Sequence, residues 1–97
     1  MTTFWHPAYG HPDGVSWVPW FRFAGDVGYR APGHPDGESD EPHLRHVEGL
    51  VYPMSDPTAP WFEILGSFAY PAARPGPPWF TIAPESLARY QPSGPGP

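Results

Sequence analysis

The sequence predicts a small all-β domain, and three observations carry that expectation. One phrase recurs: Pro19-Trp20-Phe21-Arg22-Phe23, Pro60-Trp61-Phe62-Glu63-Ile64 and Pro78-Trp79-Phe80-Thr81-Ile82. Proline followed by aromatic text of period two is what a short β-strand leaving a turn looks like. The chain is also rich in rings, with 5 Trp, 5 Tyr and 6 Phe among 97 residues. Side chains of that size bury enough area to offset the entropy of ordering a small domain. Finally, 17 Pro and 11 Gly are spread through the chain and read as stiff loops between short strands. Proline also lowers the entropy of the unfolded chain, which helps a modest core.

Each element follows from its residues. Residues 1–14 hold Phe4, Trp5 and Tyr9 between prolines without a period, and read as an N-terminal aromatic arm. Val15 to Arg30 is strand text broken at Gly25-Asp26. Ala31 to His43 is a polar loop that carries Asp36, Glu38, Asp40 and Glu41. Leu44 to Tyr52 has two readings. Asp40 as N-cap, Pro42 in the first turn and Gly49 past the end would make a short helix over 40–48. Alternation through Val47, Gly49 and Val51 would make a strand kinked at Gly49, and the β-rich end of the segment favours this. Trp61 to Tyr70 is the clearest hairpin, with Gly66-Ser67 suited to a type II′ turn. Trp79 to Ile82 is the last strand. Pro84-Glu85-Ser86-Leu87 then reads as one helical turn.

The expected organisation is an arm over 1–14, one β-barrel domain over 15–90 and a disordered tail over 91–97. The expected barrel has about five to six short strands. Its expected core is Phe21, Phe23, Val27, Tyr29, Val47, Val51, Phe62, Ile64, Phe68, Tyr70, Phe80, Ile82 and Leu87.

Charge and composition narrow the function classes. The formal net charge is −5 and there is no Lys, which argues against nucleic acid or an anionic membrane as the main partner. The absence of Cys excludes a disulfide framework and thiol chemistry. No apolar run approaches a membrane span, and no basic-then-apolar start marks a signal peptide. The expected setting is cytoplasmic, or within a larger particle.

From Phe23 to Tyr90 the order of elements resembles an SH3-like small barrel. The carrying residues are Phe23-Ala24-Gly25-Asp26-Val27, Val47-Glu48-Gly49-Leu50-Val51, Trp61-Phe62-Glu63-Ile64, and Phe80-Thr81-Ile82 running into Pro84-Glu85-Ser86-Leu87. With Pro32-Gly33-His34 after the Gly-Asp strand, it is distantly similar to the C-terminal barrel of the nitrile hydratase β subunit. That resemblance implies a fold and a tendency to pack on a partner. It implies no catalytic residue, because the metal in that family is held by a Cys cluster on the other subunit.

Several residues carry candidate chemistry. Gly10-His11-Pro12-Asp13-Gly14 is repeated as Gly33-His34-Pro35-Asp36-Gly37. His11 and His34, with His43 and His46, are the residues on which a metal site would draw. Pro-Asp-Gly is equally good turn chemistry and needs no ligand, so neither a metal nor another cofactor is expected. His43 and His46 would share a helix face but not a strand face. The chain offers six Ser and five His but no Gly-x-Ser-x-Gly elbow, and its acids cluster on one loop without a rigid frame. Enzyme activity is therefore not expected.

The strongest candidate is a Trp/Arg face. If Trp20, Trp61 and Trp79 share one side of a sheet with Arg22, they present hot-spot chemistry for a protein partner. The competing reading has the arm and the prolines cover those rings as a second small core. The expected function is a non-enzymatic protein-interaction module acting through Trp20, Arg22, Trp61 and Trp79, or through the acidic loop. The alternatives are a small structural component of a larger assembly, such as a phage virion protein, and an accessory subunit of a nitrile-hydratase-like enzyme.

Overall fold

The computed structural model describes residues 2–73 and 75–84. They form eight short strands: β1 (Thr2–Pro7), β2 (Phe21–Ala24), β3 (Val27–Arg30), β4 (Leu44–Val47), β5 (Leu50–Pro53), β6 (Phe62–Leu65), β7 (Phe68–Pro71) and β8 (Phe80–Ala83). Each strand runs antiparallel to its neighbour in sequence. β1 also pairs with β8, and the sheet closes into an up-and-down barrel. Closure leaves no strand edge to be protected.

The all-β barrel expected from the sequence is present, with eight strands in place of five to six. The added strands have two sources. Residues 2–7, expected to lie in an arm outside the barrel, are β1, whose Trp5 and His6 are almost fully buried. β1 is paired with β2 on one side and β8 on the other. The segment 44–52, read as one kinked strand or a helix over 40–48, instead lies in a hairpin of β4 and β5. Glu48 and Gly49 both take positive φ, at 50° and 83°. That is the type I′ geometry whose twist matches a two-residue hairpin. The Gly25-Asp26 and Gly66-Ser67 connections place a positive-φ glycine first, as a type II′ turn requires. Apart from Pro84, the expected helical turn over 84–87, with its Leu87, and the tail over 91–97 fall on residues 85–97, outside those described.

Two-residue turns set the register, and the register corrects the expected core. Phe23 lies opposite Gly28, and Ile64 opposite Ala69. Residues directly opposite one another share a face. The inward Phe23 therefore takes Gly28 inward and turns Val27 and Tyr29 outward. By the same rule Phe68 and Tyr70 stand outside, their rings 6.4 Å apart. His46 opposite Val51 leaves Val47 on the outer wall, 43% exposed.

The observed core is Trp5, Phe21, Phe23, Leu44, Val51, Phe62, Ala69 and Phe80. An eight-stranded barrel is just wide enough for side chains to fill, and here one indole dominates. Trp5 stacks on Phe23 with centroids 4.7 Å apart and planes at 19°, and it meets Phe62 and Phe80 at 5.5 Å each. Small residues on the other strands make room for it. A Cβ on Gly28 would lie 2.6 Å from the Phe23 ring, so only glycine fits beneath the pair.

Candidate functional site

The two ends of the barrel differ. One carries the tight hairpin turns and the other the four longer connections. Each longer connection ends in the same way: Pro19-Trp20-Phe21, Pro42-His43-Leu44, Pro60-Trp61-Phe62 and Pro78-Trp79-Phe80. The middle residue of each word makes the same two backbone bonds. The N–H groups of Trp20, His43, Trp61 and Trp79 donate to the carbonyls of Trp5, Gly28, Val51 and Ala69. Their own carbonyls accept from Ala31, Met54, Ala72 and Ala8 in turn. The three Trp and His43 thus occupy four equivalent places around one rim. His43 as the fourth member escaped the sequence reading because His-Leu replaces Trp-Phe. Spacing was the available signal: Pro42 precedes Pro60 by the same eighteen residues that separate Pro60 from Pro78.

The repeated Gly-His-Pro-Asp-Gly words fill the rim beside Trp20. Both form turns, with Gly14 N–H donating to the His11 carbonyl and Gly37 N–H to that of His34, each at 2.9 Å. Each leading glycine lies against the Pro-Trp word at the start of a neighbouring strand. Gly10 N–H donates to the Pro78 carbonyl at 2.9 Å, and Gly33 N–H to that of Pro19 at 3.1 Å. A Cβ on Gly10 would meet the Pro78 oxygen at 2.5 Å, so glycine is required by close approach. The result lodges the His11 ring between Trp20 and Trp79, at 4.4 and 5.5 Å, and the His34 ring between Trp20 and His43, at 5.2 and 6.2 Å.

These side chains surround a cavity of about 300 Å³ at the barrel mouth. Phe21, Phe62 and Phe80 form its floor. Trp20, Trp61, Trp79 and the three imidazoles form its walls, and Asp36 stands at the lip. Trp61 is 48% exposed, so its indole is available to a visitor. A larger groove, of about 440 Å³, lies on the outer wall against Arg45, Val47, Tyr52 and Met54. It draws on one hairpin and the loop after it, whereas the mouth gathers groups from all four long connections.

Both repeat histidines are held neutral. Burial pushes His11 below the ordinary value of 6.5, against an upward pull from Asp13. Burial lowers His34 as well; Asp36 pulls it up, and Arg30 and His43 push it further down. The Nδ1 of His11 accepts the Asp13 N–H and that of His34 accepts the Asp36 N–H, each at 3.0 Å. In the neutral ring the proton then sits on Nε2.

The sequence candidates are therefore partly gathered and partly dispersed. Trp20, Trp61 and Trp79 come together, with His11, His34 and His43. Arg22 does not join them: its guanidinium lies over the Tyr29 ring, 4.9 Å from the centroid, on the outer wall. Of the acidic loop, Asp36 reaches the cavity, while Glu38, Asp40 and Glu41 are exposed along the same connection. His46 sits at the hairpin end, where its Nε2 accepts the Gly49 N–H and its Nδ1 lies 3.6 Å from Asp26. Among the described residues, no group of three or more His, Cys, Asp or Glu is placed to hold a metal ion. Nor is any helix among them long and apolar enough to cross a membrane.

Compared with protein-family models, curated proteins and solved structures, the chain matches none.

Proposed function

We propose that this chain is a non-enzymatic protein-interaction module whose mouth receives a segment of a partner. One observation carries the reading: three repeated words deliver Trp20, Trp61 and Trp79 to one cavity, on three separate connections of a closed barrel. A concave site lined by aromatic rings with a few polar groups is the usual form of a binding pocket. Indoles in such a place are the commonest hot spots. The lining supplies ring faces, imidazole N–H groups and one carboxylate, which suits recognition.

Selection of a displayed peptide library against the full chain tests this. Selected peptides should shift the tryptophan emission. Trp61→Ala should weaken them by about thirtyfold, the scale of a hot-spot truncation, with the far-ultraviolet circular dichroism unchanged. Peptides that bind the variant as well as the parent would place the interaction elsewhere and sink the proposal.

A further inference from the structure

We infer that the group seated in the mouth is a methylated ammonium, carried by a lysine side chain of a basic protein segment. The inference rests on the interaction-module reading and adds the chemistry of the ligand.

Three observations carry it. The first is the ring set. Trp20, Trp61 and Trp79 line one cavity above Phe21, Phe62 and Phe80, and indole is the strongest of the side-chain π faces toward a cation. The second is charge. Asp36 is the only carboxylate in that lining, and burial favours the neutral form of His11 and His34. Asp36 also begins an exposed acidic run through Glu38, Asp40 and Glu41 on a chain of net charge −5. Such a rim attracts a basic segment and gives nothing to a zwitterionic lipid surface. The third is the shortage of acceptors. A bare ammonium brings three N–H donors that need partners once desolvated. Of the three imidazoles, His11 and His34 have already committed Nδ1 to backbone amides and in that neutral tautomer offer no acceptor, which leaves His43 and Asp36 as the side-chain acceptors for three donors. Methyl groups in place of those hydrogens remove the demand and let the ring faces and one carboxylate suffice. The cavity of about 300 Å³ has room for the alkylated head and the end of its stem.

The test titrates the full chain, followed by tryptophan emission and calorimetry, with one Arg-rich peptide in three forms. These carry trimethyl-lysine, unmodified lysine, or a neutral tert-butyl isostere of the trimethylated side chain. The trimethylated form should bind at least about tenfold more tightly than either of the others, as several cation–π contacts together imply. Trp61→Leu, which keeps an apolar side chain but removes the π face, should abolish that preference. Asp36→Asn should weaken the trimethylated form and leave the isostere unchanged.

Equal binding of the isostere would overturn the cation while leaving the mouth a binding site. Binding to phosphatidylcholine vesicles but not to the peptide would overturn the protein source. If no form binds while library-selected peptides still depend on Trp61, the ligand chemistry falls and the module stands. If nothing depends on Trp61, both fall.

Discussion

The imidazole of His11 stands edge-on to the indole of Trp20, centroids 4.4 Å apart and planes at 73°. The two residues come from the same connection, between β1 and β2. His11 is buried to 7% exposure, and burial outweighs the upward pull of the Asp13 carboxylate on its pKa. Protonating it would place a charge among rings that have little to solvate it.

Acid should therefore destabilise the fold. Burial lowers the folded pKa of His6, His11 and His34 below the ordinary 6.5. A base so shifted binds fewer protons folded than unfolded, so the unfolded chain gains as pH falls through that value. Melting temperature should be flat in mild alkali, decline as pH drops below 6.5, and level off once the folded imidazoles also protonate. The double variant His11→Gln, His34→Gln should show a shallower decline than the parent. A parent curve without slope between about pH 7 and about pH 5 would contradict the burial of these rings.

The interior leaves no slack around Trp5. Trp5→Ala should cost about 3–5 kcal/mol, the range for removing a large aromatic from a core. Gly28→Ala should cost about 1–3 kcal/mol by overpacking against the Phe23 ring. Denaturant midpoints of the two variants check both figures, and a neutral Gly28→Ala would mean that the ring can step aside.

Gly10 holds the histidine word against the Pro77-Pro78 backbone. Gly10→Ala should break the Gly10–Pro78 hydrogen bond and move His11 out of the Trp20–Trp79 gap. The expected outcome is a loss of about 1–3 kcal/mol, with changed NMR shifts at His11 and Trp79 and unchanged shifts at His46, at the far end of the barrel. Shifts that spread evenly over the chain would instead indicate a global rearrangement.

Removal of residues 2–7 should abolish cooperative unfolding, because β2 and β8 each lose a partner and the core loses Trp5. A truncated chain that still melts cooperatively near the parent temperature would return this segment to the status of a dispensable arm.

Much of the barrel was legible in the residues. The Pro-Trp-Phe words mark strand starts at Phe21, Phe62 and Phe80, and Gly66-Ser67 marks its hairpin. Period-two alternation defines two faces for a strand such as Val27–Arg30, yet it does not say which face is wet. With Gly28 on one face and Val27 and Tyr29 on the other, hydropathy chose the wrong side. The cross-strand pairing of Phe23 with Gly28 chose otherwise, to make room for an indole delivered from β1. β1 itself was hard to read because Phe4-Trp5-His6-Pro7 shows no period-two alternation of polar and apolar residues. Trp5 and His6 point to opposite faces and are each 1% exposed, so both faces of β1 are covered there, and a strand buried on both faces loses the alternation a half-exposed strand shows.

The candidate site divides along the same line. Residues alone determined that three Trp would recur in equivalent local settings and that two Pro-Asp-Gly turns would each carry a His. Local chemistry suffices for that, since turn and strand preferences act over a few residues. Whether those rings meet was decided only by tertiary structure. Closure between β1 and β8 gathers four connections, far apart along the chain, at one end of the barrel. Alternation with the inward Phe21 and Phe23 sends Arg22 to the outer wall, and the β4–β5 turn holds His46 at the opposite end. Convergence is set by strand number and register, which are long-range properties that no single stretch of sequence contains.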